Sequence, residues 1–233
     1  MEIMNLFKLC SGLKMNVDKT NAVWLGSKAG SNEILCPDLS LHWTQNFNLL
    51  GIKFNAHLDN MIKDNFEEAL IKTDSIIKRY HKWKLSLLGK ICVIKTFIVP
   101  LFVHAMTVLP NPDSDTFARI NTKIKKFLWG DGQVQVSLAQ LSLNTEFGGL
   151  KLTHIETLAT SLKLTWINRI YNTSGQWVHL YKSIIHETND HQIWHLDNRS
   201  LVAFGRNIDN RFWKDVILGW ANYTKDRTVH FEE

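Results

Sequence analysis

Residues 58–82, LDNMIKDNFEEALIKTDSIIKRYHK, mark the point at which the hydrophobic period of the chain becomes helical. Apolar residues recur there every three or four positions, and charged residues fill most of the positions between them. The apolar positions are Ile62, Phe66, Ala69, Leu70, Ile76, Ile77 and Tyr80. This spacing predicts a long helix from about 58 to 82 that packs one face against a core.

Downstream of this helix the pattern stays mostly helical. We expect a second helix over 86–107, kinked at Pro100, and a third over 114–128, capped by Asp113 or Ser114. Further helices are predicted over 155–170, 176–185 and 212–222. Two stretches interrupt this pattern, because 134–143 is strand-prone or simply extended and 187–208 is polar and irregular.

Upstream of residue 56 the pattern is different and richer in strands. A short helix over 2–10 is followed by strand-like pieces at 13–17, 21–25, 41–43 and 47–54, with a hairpin expected around Gln45-Asn46. The predicted fold class is therefore α+β and mostly α, with a small strand-rich start and a helical body. The chain is expected to divide into segments 1–56, 57–130 and 131–233.

Charge is distributed unevenly along the chain. The net charge is +5, and no Asp or Glu occurs from Ser75 to Pro112. Six cations fall in that stretch: Lys78, Arg79, Lys82, Lys84, Lys90 and Lys95. Arg119, Lys123, Lys125 and Lys126 extend the basic set onto the third helix. This pattern fits either a helical domain that contacts nucleic-acid phosphates or an ordinary solvated basic face. We expect the interleaved Trp83 and Trp129 to pack rather than to stack on bases.

Candidate metal ligands are few. Polymerases hold paired magnesium ions with closely spaced carboxylates, and the chain contains no adjacent Asp-Asp. His191 and His195 are four residues apart, with His186 nearby, but no HExxH pattern supports a metal site. We therefore predict locally bonded or exposed histidines and no metal.

Cysteine use and apolar stretches bear on the compartment. Cys10, Cys36 and Cys92 are far apart, which argues against a disulfide framework and favours a reducing, intracellular setting. The first residues lack the basic start and long apolar core of a secretory signal. The most apolar stretch, 96–110, is too short to span a bilayer, so we expect no membrane partner.

Several short motifs resemble, in order, those of reverse transcriptases from non-LTR (LINE-type) retrotransposons. Residues 11–20, SGLKMNVDKT, are similar to the family's motif D, and residues 47–52, FNLLGI, to the hairpin that grips the primer end. Residues 83–95, WKLSLLGKICVIK, are similar to its thumb segment. Later matches are Leu109-Pro110-x-Pro112, Ile124-x-x-Phe127-Leu128-Trp129, Phe147-Gly148-Gly149-Leu150, Ala159-x-x-x-x-Leu164-x-Trp166-x-x-Arg169 and Phe212-Trp213-Lys214-Asp215-Val216. The resemblance covers nearly the whole chain.

The resemblance implies part of an RNA-directed DNA polymerase. Residues 1–56 would form the end of the palm, 57–130 the thumb and 131–233 a connector beyond it. The implied partner is an RNA–DNA template–primer duplex. Magnesium in the intact enzyme would be held by carboxylates expected to precede Met1. This chain alone is therefore expected to hold no cofactor and to be inactive.

The resemblance also implies roles for particular residues. Lys19 matches the motif D lysine, which donates a proton to the leaving pyrophosphate or stabilises it; the alternative is an ordinary turn lysine. Leu50, Gly51 and Ile52 would steer the primer end, although Gly51 is equally explained as a bulge or tight bend. The implied phosphate contacts are Lys82, Lys84, Lys90 and Lys95. Either Lys90 or Lys95 instead caps or covers a helix in the alternative interpretation.

Two other functions stay open from sequence. One is a helical protein-interaction domain that binds a partner through an exposed apolar face and does not bind nucleic acid. The other is an enzyme fragment that regains activity when a separate chain supplies the carboxylates. Mixing the two chains in a primer-extension assay would distinguish this second alternative from an inactive duplex-binding fragment.

Overall fold

The computed structural model describes residues 2–14, 16–35, 41–185 and 192–225. Of these described residues, 66% are helical and 6% are in strands, which confirms the predicted α+β, mostly α class. The chain divides into two compact units, Met1–Asn65 and Phe66–Glu233. The assignment of three functional segments stays a prediction.

The bounds of the regular elements follow chain order. The helices of the described residues are α1 (Glu2–Ser11), α2 (Leu58–His81), α3 (Leu87–Val93), α4 (Val99–Val108), α5 (Ser114–Trp129), α6 (Leu138–Ser142), α7 (Ile155–Tyr171), α8 (Gln176–Ile185), α9 (Asn198–Asn207) and α10 (Arg211–Thr224). The strands are β1 (Asn21–Ala22), β2 (His42–Trp43), β3 (Asn46–Leu49) and β4 (Ile52–Asn55). A π-helical turn covers Ile94–Ile98.

Most predicted helices are confirmed, and two stretches are corrected. The structure places α6 where 134–143 was expected to be strand-prone, with the Ser137 hydroxyl accepting a hydrogen bond from the Gln140 amide. It places α9 within the stretch expected to be irregular. Polar residues conceal α9 from a periodicity argument, but Asp197 caps it by accepting from the amides of Arg199 and Ser200.

The first unit contains a hairpin whose turn lies later in the chain than expected. Strands β3 and β4 pair antiparallel, with Leu49 opposite Ile52, so the turn is Leu50-Gly51 and not Gln45-Asn46. Both turn residues have positive φ, 50° for Leu50 and 81° for Gly51. Positive φ at both central positions characterises a type I′ turn, which matches the twist of a hairpin. Leucine is not a residue that normally marks such a turn, which explains the error.

A second small pairing lies earlier in this unit. Strands β1 and β2 run parallel, with Asn21 opposite His42 and Ala22 opposite Trp43. The predicted strand at 21–25 is therefore only two residues long. Val17, the last residue of the strand-like piece expected at 13–17, instead begins a 3-10 turn over Val17–Lys19.

Asn65 fastens the hairpin to α2 by completing the hydrogen bonds of Lys53. Its side-chain oxygen accepts from the Lys53 amide at 3.0 Å, and its amide nitrogen donates to the Lys53 carbonyl at 2.8 Å. The same nitrogen donates to the Met61 carbonyl within α2 at 2.7 Å. Asn65 is itself buried, so each of these bonds replaces water that cannot reach the groups.

Pro100 explains an interruption in the helical run of α3 and α4. Proline has no amide hydrogen to donate to the Thr96 carbonyl four residues earlier. The run is interrupted immediately before Pro100, where a kink was expected, and the interruption takes the form of the π-turn. Such turns accommodate a lost or shifted helical hydrogen bond without ending the helix.

The same run, Leu87–Val108, is long and apolar enough by length and composition to cross a membrane. It extends well before the stretch 96–110 considered from sequence. Within the protein its side chains Ile94, Ile98, Phe102 and Met106 are completely buried. This burial is what a core helix requires, and the expected absence of a membrane partner stays a prediction.

Lys163 joins α4, α7 and α10 in the second unit. It is completely buried, and its ammonium donates to the Met106 carbonyl and, at 2.5 Å, to the Leu109 carbonyl. The Phe212 ring lies 4.9 Å from the same nitrogen. Met106 and Leu109 lie at the end of α4, where carbonyls lack helical donors. Lys163 therefore supplies the donors that this helix end needs.

Two further hydrogen bonds, close to Lys163, hold the connection between α4 and α5. The Trp166 indole nitrogen donates to the Thr107 carbonyl at 2.8 Å. The Asp215 carboxylate accepts from the Asn111 amide at 2.6 Å. Burial raises the pKa of Asp215, while this hydrogen bond and the Lys163 ammonium act in the opposite direction. The connection is thus fixed by polar side chains from α7 and α10.

Aromatic residues fill the core that follows this junction. Trp166 makes edge-to-face contacts with Trp177, Phe212 and Trp213, with ring centroids between 5.4 and 6.3 Å apart. Tyr181 lies 4.5 Å from Trp213. The Gly205 backbone approaches Leu218 so closely that an added Cβ would lie 2.8 Å from its Cδ2. Most of the tryptophans of the second unit thus build its C-terminal core.

Gly149 occupies a position that permits no side chain. A Cβ there would lie 2.0 Å from the Leu143 carbonyl oxygen. The Gly148 residue before it has φ of 73°, a conformation that glycine adopts without strain. The two glycines allow the following irregular residues to return to α6, where the amides of Leu150 and Leu152 donate to the Leu141 carbonyl.

Replacing Asn65 with alanine is expected to destabilise the protein by about 2–3 kcal/mol, because three buried hydrogen bonds are lost at about 1 kcal/mol each. The control is Asn48→Ala, an exposed position on the same hairpin, with an expected change below about 0.5 kcal/mol. Urea unfolding measures both, and hydrogen exchange of the Lys53 amide should accelerate only in the Asn65 variant. Equal effects of the two substitutions would contradict the anchoring role.

Lys163 is expected to make stability depend on pH. Burial lowers its pKa from 10.5 to about 8, although Asp215 opposes the shift. Between these values only the unfolded chain holds the proton, so the free energy of unfolding rises with pH there, by about 3 kcal/mol in total. Urea unfolding between pH 7 and pH 10.5 measures this rise. It should vanish in Lys163→Met and persist in Lys225→Met, which alters an exposed lysine at the end of α10.

Candidate nucleic-acid interface

Eight residues at the end of α2 and in the π-turn form a surface that we call the basic–aromatic surface. Its members are Lys78, Arg79, Tyr80, Lys82, Trp83, Lys84, Lys95 and Phe97. Its five cationic side chains are all exposed. The two parts are separated in sequence by α3, and the aromatic members join them.

Tyr80 links the two parts of this surface. Its ring stacks on Phe97 with centroids 5.4 Å apart and planes 27° from parallel. The Tyr80 ring also contacts the Trp83 ring, with centroids 6.4 Å apart and planes tilted by 45°. The end of α2 and the π-turn are thereby held side by side, which places Lys82, Lys84 and Lys95 on neighbouring segments.

Trp83 is exposed, although sequence favoured a packing role. Its exposed fraction is 64%, and that of Phe97 is 45%. Trp129 is partly buried, as the packing interpretation expects. The backbone around Trp83 is fixed, because its amide donates to the Tyr80 carbonyl at 3.0 Å and its carbonyl accepts from the Leu85 amide at 2.7 Å. The indole is therefore held at the surface by an ordered turn.

The π-turn presents Lys95, Thr96 and Phe97 to solvent while Ile94 and Ile98 point into the core. Within the residues that the structure describes, Lys82, Lys84 and Lys95 make no ion pair. Their charge is thus directed at solvent or at a ligand.

Lys90, predicted as a phosphate contact, serves the fold instead. Its ammonium donates to the Leu128 carbonyl at 2.6 Å, at the end of α5. A cation at a helix C-terminus supplies a donor to an unpaired carbonyl and interacts favourably with the helix dipole. From sequence, either Lys90 or Lys95 was expected to cap or cover a helix. Lys90 has this role, whereas Lys95 is exposed.

The basic residues of α5 are largely engaged with carboxylates. Arg119 makes a two-point contact with Glu67 on α2, with one nitrogen–oxygen distance of 2.9 Å, and this contact raises the pKa of Arg119. Lys123 lies 2.5 Å from Asp74, and Lys126 lies 3.4 Å from Asp131. Of the four basic residues that extend the set onto α5, Arg119 and Lys123 thus join α5 to α2, whereas Lys125 and Lys126 are exposed.

The predicted primer-grip residues lie together at the tip of the hairpin in the first unit. Leu50 is 87% exposed, whereas Ile52 is buried. Holding a leucine at φ of 50° costs about 1–2 kcal/mol, and such strain is often retained at functional positions. Gly51 is explained by the turn itself and not by a bulge.

Lys19 lies in the first unit on the 3-10 turn Val17–Lys19 and is exposed. Asn16 caps this turn by accepting from the Lys19 amide at 3.3 Å. The turn is further closed by the Thr20 hydroxyl, which donates to the Asn16 carbonyl at 2.7 Å. The conformation suits an ordinary turn lysine and equally leaves the ammonium accessible to an anion.

Sequence reasoning missed two structural residues and misjudged one surface residue. Lys163 shares its helical face with Ile155, Ala159 and Ile167, so its periodicity alone places it in the core. Asn65 carries no comparable signal, since a polar residue in an amphipathic helix is ordinarily taken as exposed. The exposure of Trp83 depends on where α2 ends, which periodicity defines only loosely.

No metal site is formed by the residues that the structure describes, since no group of three or more His, Cys, Asp or Glu side chains is arranged to hold an ion. These residues do not fit the paired magnesium ions that the resemblance implies. Cys36, His186 and His191 lie outside the described residues. No protein-family model matches the chain.

The inward role of Lys90 predicts a stability effect that Lys95 lacks. Lys90→Met removes the donor to the Leu128 carbonyl and should destabilise the protein by about 1.5 kcal/mol, the order expected for a charged hydrogen bond. Lys95 lies five residues later in the same helical run and is exposed. Lys95→Met should therefore change stability by less than about 0.5 kcal/mol. Urea unfolding measures both, and equal losses would contradict the distinction.

Proposed function

We propose that this chain is the end of the palm, the thumb and the connector of a non-LTR retrotransposon reverse transcriptase, and that it binds RNA–DNA template–primer duplex. The observation that carries the proposal is the basic–aromatic surface. Five exposed cations lie there in a stretch that contains no acidic residue. Cations spaced along helices contact phosphates without reading base sequence.

The sequence motifs provide a second line of support, because several coincide with structurally demanding positions. The primer-grip-like segment contains the strained hairpin tip at Leu50. The Leu109 carbonyl of the Leu109-Pro110 segment accepts a hydrogen bond from Lys163 at the end of α4. Gly149 approaches Leu143 too closely for any side chain. Residues held by such constraints are the ones a family retains in order.

Within this proposal the chain contributes binding and not metal chemistry. Lys82, Lys84 and Lys95 contact phosphates, and the Leu50-Gly51 tip meets the primer strand. Lys19 is a candidate to donate a proton to pyrophosphate. Lys90 does not contact phosphate in this proposal, because its ammonium donates to the Leu128 carbonyl.

Fluorescence anisotropy of a labelled RNA–DNA hybrid, titrated with the chain at several salt concentrations, tests the proposal. Affinity should fall steeply with salt, with a log–log slope of about −0.9 per neutralised phosphate if the B-form value applies to the hybrid. The triple variant Lys82→Ala, Lys84→Ala, Lys95→Ala should bind more weakly and show a shallower slope, by about 0.9 for each lysine that contacts a phosphate.

The matched control removes the same charge elsewhere. Lys8, Lys63 and Lys225 are exposed, and their triple alanine variant also lowers the net charge by three. If both triple variants bind equally, the attraction is one of overall charge and the surface has no special role. Absence of salt-dependent binding by folded protein would instead favour the helical protein-interaction domain.

A further inference from the structure

The exposed indole of Trp83 is not explained by phosphate contacts. Leaving a tryptophan 64% exposed forgoes most of the burial that makes this residue favourable in proteins. Phosphates are contacted by cations and amide groups, and they do not require an aromatic face. A second ligand chemistry therefore has to be considered for this part of the surface.

The neighbouring rings strengthen this interpretation. Tyr80 and the exposed Phe97 form a stacked pair, and the Trp83 ring contacts Tyr80 at a tilt. The rings lie among cations from both segments: Lys82 and Lys84 flank Trp83 in sequence, and Lys95 precedes Phe97 by two residues. Aromatic faces combined with adjacent cations are the features that hold unpaired nucleotides, through base stacking and phosphate contacts together.

Duplex nucleic acid cannot use these aromatic faces fully. In the interior of a hybrid each base is already stacked between its neighbours, so a protein ring finds a free base face only at the end of the duplex or on an unpaired nucleotide. An unpaired nucleotide beside the duplex exposes its base and still carries a phosphate. The exposed rings and the flanking lysines thus match a junction between duplex and single strand.

We propose that Trp83, supported by Tyr80 and Phe97, stacks on an unpaired base of a single-stranded extension next to the duplex. This inference rests on the proposed function and adds a ligand class to it. Lys82, Lys84 and Lys95 hold the phosphates, and Trp83 discriminates extended duplexes from blunt ones. Any base satisfies the contact, because every base offers a flat face.

The test compares three labelled ligands by anisotropy at one salt concentration. The first is a blunt RNA–DNA hybrid, the second carries a five-nucleotide single-stranded extension, and the third carries the same extension without bases. The protein should bind the extended hybrid about fivefold or more tightly than the blunt hybrid, the least that one stacked base contributes. The abasic extension should lose most of this preference while keeping every phosphate.

Variants assign the preference to the indole. Trp83→Ala should reduce the preference for the extended hybrid to below twofold, when the preference is the ratio of the variant's own affinities for the extended and blunt hybrids. Trp83→Phe should retain most of the preference, because a flat aromatic face remains. Leu88→Ala is the matched control, since Leu88 is similarly exposed on adjacent α3 and should leave the preference intact. Urea unfolding verifies that each variant is folded, as expected for exposed positions.

The outcomes separate this inference from the proposed function. Salt-dependent binding that is equal for blunt and extended hybrids overturns the stacking inference and leaves duplex binding standing. A preference that the abasic extension retains also overturns it, since phosphates alone then suffice. A preference that survives in Trp83→Ala assigns stacking to another residue and overturns the role of Trp83. Absence of binding to every ligand overturns both proposals.

Discussion

The second unit depends on one interaction, the bonding of the buried Lys163 ammonium to two carbonyls at the end of α4. An apolar residue at this position would leave those oxygens in the core without donors, a cost larger than the gain from its own burial. Because Lys163 lies on α7, the same contact fixes where α7 meets α4. Trp166, three residues later on α7, is thereby brought into the aromatic core that α8 and α10 complete.

The basic–aromatic surface is held in place by contacts that use charge internally. Lys90 fixes α3 against the end of α5, and Glu67 with Arg119 fixes α5 against α2. These three helices carry or adjoin the segments that present Trp83 and Lys95. Cations that look equivalent in sequence therefore divide into two groups, those that join helices and those that face solvent. A ligand of the proposed kind would meet only the second group, and its arrangement before binding would reduce the entropy lost on association.

Periodicity was sufficient to predict the fold class and the long helices, because α2, α5, α7 and α10 each bury one apolar stripe. It failed where local chemistry determines the structure. The hairpin turn at Leu50-Gly51 requires positive φ at a leucine, which no propensity favours. Helix α9 is half polar, lies in a polar stretch of the chain and begins at its Asp197 cap. For the candidate site, sequence predicted Lys82, Lys84, Lys90 and Lys95 and left open which of Lys90 and Lys95 serves a helix. The structure assigns that role to Lys90, whose bond to a carbonyl 38 residues away no local pattern predicts.

Asn65 has a consequence for how the first unit behaves beside other chains. A two-stranded hairpin offers backbone donors and acceptors along its outer edges, and such edges recruit strands from neighbouring molecules. The side-chain amide of Asn65 forms hydrogen bonds with both the backbone N–H and the carbonyl of Lys53 on β4. A third strand could therefore not form backbone hydrogen bonds at Lys53. A single side chain of α2 thus protects the middle of this edge against aggregation through intermolecular β-pairing.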